Sequence, residues 1–463
     1  MHDICCSHTD ARGVPHTDDR GVPPADTEGA ANRRAARAGL TVRVSILSAG
    51  SRGDVQPSAV LADELKQRGH DVVLVASDDL TRFGSELGVP TEPLGFSTRE
   101  LLDSPEGAAW LEAGDMRAFL QGVVRLKTER RAGLRQAISR ASDGSDVIVS
   151  GVNTMEEGSA MAEARGIPLV GLFYAPRRSN PYFPAYALTT RRLGGPANRL
   201  THRLVARAEW KATAEYANAF RADLGLPPTR ENLAVRLRRQ RTLELQAYSG
   251  VLVPQLVDWS PQRPLTGFIA PSSLHRRLWG EDAADDGLAD WLRAGSPPVY
   301  FGFGSMPVRE PRLMIDLISR VATRLGVRAL IGAGWSSYSE GGRGRFGDRV
   351  RVTGEIDHRA VFPLCRAAVH HGGAGTTAAS LTAGLPTLVC SVNFDQPFWG
   401  RRLEDLRVGR WLPFDRLSEA TLVTALRDLL RPEFTARARA LGSALGAESG
   451  ASAAADAIER LRA

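Results

Sequence analysis

Val42-Arg43-Val44-Ser45-Ile46-Leu47, the turn Gly50-Ser51-Arg52-Gly53-Asp54, the segment Pro57 to Arg68, and Val72-Val73-Leu74-Val75 form the stretch that decides the fold. An apolar, β-branched run of strand length leads through a glycine turn into a helical pattern. Leu61 and Leu65 share one helix face, Pro57 suits a first helical position, and Gly69 suits a stop just past the end. This is a βα unit followed by its next strand. The alternation continues at Asp146-Val147-Ile148-Val149 and Pro168-Leu169-Val170-Gly171-Leu172, and breaks at the proline-rich Ser260-Pro261-Gln262-Arg263-Pro264. It restarts at Pro298-Val299-Tyr300-Phe301-Gly302-Phe303 and runs through Arg328–Ile331, Val350–Val352, Ala368–His370 and Thr387–Cys390. The expected class is α/β, with two Rossmann-like, doubly wound parallel-sheet domains facing a central cleft.

Composition narrows the function. The 463 residues carry 59 basic and 52 acidic groups, a net charge of +7, too mild an imbalance for a nucleic-acid partner. Lysine occurs only at Lys66, Lys127 and Lys211, so the positive charge is nearly all arginine. The densest basic run, Arg236, Arg238, Arg239 and Arg241 with Leu237 and Leu243, reads as a solvated helix face. Cys5, Cys6, Cys365 and Cys390 show no CxxC spacing, which argues against a disulfide scaffold or structural zinc and fits a reducing cytoplasm. The first 40 residues are polar, lack a signal-peptide core and repeat His8–Pro15 as His16–Pro23, so they read as a disordered tail with no metal role for its histidines. No apolar run is long enough to span a bilayer, and a soluble, cytoplasmic protein is expected.

The chemistry concentrates in His370-His371-Gly372-Gly373-Ala374-Gly375-Thr376-Thr377, after a strand and opening a helix that Gly384 and Pro386 close. Free backbone N–H groups there can hold a phosphate. Glycines let the main chain approach the oxygens, the helix dipole favours negative charge, and His371 and Thr376 add donors. Taken alone, the stretch also fits a glycine-rich turn with a buried histidine. It is not GxxxxGK[ST], and the Gly50–Asp54 turn is not GxGxxG, which weakens kinase-like, ATPase and dinucleotide readings. A second turn, Phe303-Gly304-Ser305-Met306, brings Ser305 toward the same place, although a plain strand-to-helix turn reads the same way. In Asn393-Phe394-Asp395-Gln396-Pro397-Phe398-Trp399, Asp395 and Gln396 stand at a helix entrance. A carboxylate beside an amide suits vicinal hydroxyls, hence a sugar, and ordinary helix capping is the alternative.

Together, HHGGAGTT, FDQPFWG, GSRGDVQP and GFGSM resemble the inverting nucleotide-sugar glycosyltransferases of the GT-B fold (family 1 type), most closely their bacterial sterol and natural-product branch, over residues 42 to 460. The resemblance implies an acceptor-binding domain at 41–265, a linker at 266–290, a nucleotide-sugar domain at 291–435 and a C-terminal helix at 436–463 crossing back to the first domain, behind a tail at 1–40. It implies that His371, Gly372, Gly373, Gly375 and Thr376, assisted by Ser305, hold the donor diphosphate, that Asp395 and Gln396 hold the sugar, and that Ile356 faces the nucleobase. Ile356 stands where plant relatives stack an aromatic residue, so UDP against TDP stays open. Asp54 matches the position of the catalytic group and is the candidate general base, an ordinary turn aspartate being the alternative.

The expected activity is transfer of a hexose or deoxyhexose from a UDP- or TDP-sugar to a hydroxyl of a small hydrophobic natural product, with no cofactor and no metal. The alternatives are a nucleotide-sugar epimerase or hydrolase, and a non-catalytic sugar-nucleotide-binding partner protein. Between Tyr174 and Arg203, a stretch with Arg177, Arg178, Tyr182, Phe183, Tyr186, Arg191 and Arg192 reads as an acceptor-side lid or loop. A mobile surface loop is the first reading of it and membrane contact the second. Oligomeric state is not legible.

Overall fold

The computed structural model describes residues 41–113, 116–281, 287–303, 310–332, 344–347, 349–354 and 356–461. The tail, Ser305 and Glu355 lie outside the described residues. In the first half, β1 (Arg43–Ser48), β2 (Asp71–Ala76), β3 (Thr91–Pro93), β4 (Val147–Gly151), β5 (Leu169–Phe173) and β6 (Leu243–Gln246) form one parallel sheet in the order β3-β2-β1-β4-β5-β6. Val44 sits in register with Val72 on one side and Val147 on the other, and all five residues of β4 are buried. A strand covered on both faces reads as an unbroken apolar run, which is why β1, β4 and β5 were visible in the sequence.

The second sheet contains β7 (Val299–Gly302), β8 (Ala329–Gly332), β9 (Gly344–Phe346), β10 (Val350–Thr353), β11 (Ala367–His370), β12 (Thr387–Ser391) and β13 (Gly409–Pro413), in the order β13-β12-β11-β7-β8-β10-β9. Its edge strand β9 runs antiparallel to β10, a departure from the all-parallel expectation. The order reverses between β1 and β4 in one sheet and between β7 and β11 in the other. Ligands of open α/β sheets bind outside the carboxyl ends of strands at such points. The turns after β1 and β11 stand at these two points.

Among the helices that border that cleft are α1 (Arg52–Gln67), α2 (Met116–Glu129), α3 (Gly195–Ala222), α4 (Ala374–Thr382), α5 (Gln396–Asp405), α6 (Pro432–Gly446) and α7 (Gly450–Glu459). Helix α1 begins a full turn before the proline expected to open it. Ser51 accepts from Gly53 N while Asp54 accepts from Ser51 N at 2.8 Å, and this reciprocal cap nucleates the helix at Arg52, leaving Pro57 inside. Pro57 cannot donate to the Gly53 carbonyl, a local loss that the cap offsets. Helix α7 crosses back and packs Ala454, Ala455, Ala457 and Ile458 into the core beneath α1. Arg68 at the end of α1 clasps it, donating to Asp456 at 2.6 Å and to Ser452 Oγ at 2.6 Å.

Two other readings are corrected. Arg236, on the short helix Leu233–Arg239, is buried, ion-paired to Glu156 and set over the Trp210 ring, so that helix presents one arginine inward rather than a wholly solvated face. The stretch from Tyr174 is irregular only to Gly194, where α3 begins. Its Phe183 is buried between the two halves of the chain against Phe398, with ring centroids 5.4 Å apart. Arg192 pairs with Asp405 at 3.1 Å, and Arg402 donates to the Leu252 carbonyl at 2.8 Å. The loop is a fastened interdomain wedge.

Candidate active site

The two turns face one another across a cleft of about 2650 Å³ lined from both sheets. On the β1 side, Gly50 has φ +129°, and a Cβ there would lie 2.3 Å from Asp54 Oδ2. Only glycine lets the turn fold this tightly over the carboxylate. Both Ser51 donors, the backbone N–H at 2.8 Å and the hydroxyl at 3.2 Å, reach Oδ2, and no described residue donates to Oδ1, which is left for the cleft. The Asp54 carbonyl is held separately by the hydroxyls of Ser48, Ser58 and Tyr174, each at 3.0 Å. Asp54 is partly open to the cleft, yet loss of water to the surrounding walls, helped by the Asp395 charge, raises its pKa to about 6 against the pull of the Ser51 hydrogen bonds.

On the β11 side the three glycines of the loop have different tasks. Gly372, at φ +93°, would place a Cβ 2.5 Å from Val389 Cγ1, and Gly373 would place one 2.5 Å from His371 Nε2. A Cβ on Gly375 meets nothing within 4 Å, so its backbone stays open to a ligand. Gly372 N donates to Nδ1 of the fully buried His370 at 3.0 Å, while His370 Nε2 lies 3.2 Å from Ser380 Oγ. His370 thus carries its proton on Nε2 and locks the turn. His371 lines the cleft, and burial pushes its pKa down to about 4 against a hydrogen bond to the Gly302 backbone, so it is neutral at physiological pH. Helix α4 opens behind it with Gly373 as N-cap, and the first-turn N–H groups of Ala374, Gly375 and Thr376 have no preceding helical carbonyl to bond. Gly372→Ala is expected to cost about 2–4 kcal/mol, from left-handed strain plus overpacking, and to abolish nucleotide binding. Chemical denaturation with an unchanged midpoint would show that the loop tolerates a Cβ.

Asp395 and Gln396 stand at the start of α5, beside that loop. Asp395 does not cap the helix; its Oδ2 accepts from Trp399 Nε1 one turn on, at 2.9 Å. Burial raises its pKa to about 6, opposed by that bond and by the Arg177 charge. Gln396 uses Oε1 to accept from Val392 N at 2.8 Å, which leaves its NH₂ rather than both ends of the amide for a ligand. Ile356 is half-buried, lines the cleft, and packs on the cluster of Tyr300, Leu330 and Phe362.

The structure brings Asp54, His371, Gly373, Gly375, Thr376, Asp395, Gln396 and Ile356 to one cleft. Gly372 lies just behind, buried under the loop. Sequence reading missed His370 as the lock, Trp399 as the partner of Asp395, and Arg177 with Tyr186 as the groups approaching Asp395 from the first domain. The i, i+4 spacing of Asp395 and Trp399 on an expected helix was a usable signal. Nothing in sequence brings Arg177 to Asp395. Among the described residues no group of three or more His, Cys, Asp or Glu is placed to hold a metal ion, and no helix is long and apolar enough to cross a membrane.

Comparison with known proteins agrees with this geometry. The glycosyltransferase family 28 N-terminal domain matches residues 44–170, and the erythromycin biosynthesis protein CIII-like C-terminal domain matches residues 337–457. An uncharacterized glycosyltransferase of Mycobacterium tuberculosis is 36% identical over 403 residues, covering 86% of this chain and 93% of the relative. The O-mycaminosyltylonolide 6-deoxyallosyltransferase of Streptomyces fradiae is 32% identical over 423 residues, covering 88% and 95%. Among solved structures, the glycotransferase of kitacinnamycin superposes with a TM-score of 0.67 at 20% identity, covering 91% of this chain and 99% of that one. Glycosyltransferase VinC in complex with DTDP superposes at 0.62 and 18% identity, covering 91% and 100%. With two doubly wound sheets, a glycine loop and the Asp54 turn lining one cleft, and this likeness along nearly all of its described length, the chain belongs to the family 1 glycosyltransferases of the GT-B fold.

Proposed function

We propose that the protein is an inverting transferase that moves a hexose or deoxyhexose from a UDP- or TDP-sugar to a hydroxyl of a small hydrophobic natural product of polyketide, macrolide, glycopeptide or sterol type. The observation that carries this reading is the unengaged Oδ1 of Asp54 facing, across one cleft, the α4 N-terminus and the Asp395–Gln396 pair. Asp54 removes the acceptor hydroxyl's proton as that oxygen attacks the anomeric carbon. The bond to the nucleoside diphosphate breaks on the opposite face, and the proton stays on Asp54 until solvent takes it. The leaving diphosphate meets the N–H groups of α4 and the helix dipole beside His371, and those donors supply stabilisation without a metal. Asp395 accepts from sugar hydroxyls while the Gln396 amide donates to one.

Phe96, Leu101, Leu102, Phe119, Leu120 and Val123 line the first domain's part of the cleft and give the acceptor an apolar wall. The Streptomyces relative named as a transferase of a tylonolide derivative and the DTDP held by VinC favour a thymidine nucleotide and a polyketide-like acceptor. Incubation with TDP-glucose and UDP-glucose, with and without a panel of hydroxylated polyketides and sterols, tests the reading through nucleoside diphosphate release and the anomeric configuration of the product. Acceptor-dependent release with a β-linked product is expected. Release that ignores the acceptor would move the protein to the hydrolase or epimerase class.

A further inference from the structure

Helix α3 carries two faces with different tasks. Asn198, Thr201 and His202 turn inward, and Arg199, Val205, Glu209 and Trp210 border the cleft. At about 100° per residue, Leu200, Leu204, Arg207 and Lys211 fall within one arc of roughly 60° on the opposite side. Leu200 and Leu204 are 52% and 51% exposed, and Arg207 and Lys211 are exposed beside them. The loop leading into α3 adds Leu188 and Leu193, 56% and 49% exposed, with the exposed Arg191 between them. The loop is tied to the start of the helix, because Asn198 Nδ2 donates to the Pro181 carbonyl at 2.8 Å and Leu193 N donates to Asn198 Oδ1 at 3.1 Å.

Charge selects the occupant of this face. Around this face stand the exposed Arg191, Arg207 and Lys211, while Arg199 and Arg203 turn to the cleft; the acids of the same stretch are Glu209, already paired with Arg177, and the exposed Glu215. Arg192 is engaged by Asp405. Half-exposed leucines ringed by cations are what an interfacial helix presents to an anionic bilayer, with apolar side chains entering the acyl boundary and cations meeting headgroups.

We infer that the outward face of α3 and its leading loop dock the protein on an anionic lipid surface, with the acceptor side of the cleft on the other side of the same helix. That placement lets a hydrophobic acceptor partition from the lipid into the cleft. This last step rests on the transfer reading above, whereas the docking itself does not.

The test is sedimentation of the full chain with phosphatidylcholine vesicles, with and without phosphatidylglycerol, at low and high salt. Binding that requires phosphatidylglycerol and weakens with salt is expected. Leu200→Ser with Leu204→Ser, and separately Arg207→Glu with Lys211→Glu, should each weaken it at least about tenfold, given roughly fivefold for each surface cation lost. Turnover of a freely soluble acceptor should stay at the wild-type rate in both variants, since none of the four residues lines the cleft. Failure to bind either vesicle overturns the docking, as does binding that both variants retain. A concentration-dependent dimer that the leucine variant dissolves would give the face to a second copy and also overturn it. Loss of soluble-acceptor turnover in the wild type would instead strike the transfer reading and leave the vesicle result standing.

Discussion

Asp54→Asn lowers kcat by about 10²–10⁴-fold, the usual range for a lost general base, while nucleotide binding by titration calorimetry stays as in the wild type. The substitution is conservative for the fold, because the amide oxygen of Asn can still accept from Ser51 N and keep the cap of α1. In the wild type, kcat/KM rises with pH through about 6, because Asp54 must be ionised to take a proton and its pKa lies near that value. Loss of water raises the carboxyl, so the acid form persists to higher pH than in an exposed aspartate and the activity is lost on going below 6. Asp395→Asn removes one of the charges that raise Asp54, so the acid limb of its residual activity should move to lower pH. A wild-type kcat in Asp54→Asn, or an acid limb near pH 4, would falsify the assignment.

Trp399→Ala is expected to cost about 3–5 kcal/mol in stability, the range for truncating a buried aromatic residue. Its side chain is fully buried and meets Phe398 at 5.0 Å, Tyr248 at 5.8 Å and Phe268 at 6.0 Å between ring centroids. Tyr248 and Phe268 come from outside the second sheet's own segment, so the cavity would open in the seam between the two halves. Trp399→Phe separates packing from chemistry. It keeps most of the volume but leaves Asp395 Oδ2 without its indole donor, so the Asp395 pKa should rise and the donor KM should increase, with a stability loss of about 1–3 kcal/mol, smaller than that of Trp399→Ala. Chemical denaturation and donor kinetics on the pair measure both effects. Equal loss of stability in the two variants would mean that the hydrogen bond, rather than the ring volume, holds the seam.

The central strands were legible because burial on both faces demands an uninterrupted apolar run, as in Val147-Ile148-Val149 and Val299-Tyr300-Phe301-Gly302. Edge strands were not. Thr91–Pro93 and Gly344–Phe346 are three residues long, and Leu243–Gln246 alternates polar with apolar, so none carries a local signature. The start of α1 was misplaced for a different reason. Pro57 is a strong local signal, but the Ser51–Asp54 reciprocal cap outweighs it, and a cap is a pair of hydrogen bonds rather than a single-residue preference.

The same division holds in the site. The residue order alone determined that a glycine loop opens a helix after a buried strand, that Asp395 and Gln396 enter another helix, and that Asp54 follows the first strand ahead of Pro57, because each depends on neighbours within a few positions. Only the tertiary structure decided that the Gln396 carbonyl is consumed by Val392 N, that His370 locks the turn while His371 lines the cleft, and that Arg177, 218 positions before Asp395, acts on its charge. It alone decided that the arginine-rich stretch ahead of α3 is pinned between the two halves by Phe183 while its leucines face outward. Strands, caps and glycine turns are set by local backbone geometry. Desolvation and through-space charge depend on which distant surfaces the packed core brings together, and a linear pattern does not encode that distance.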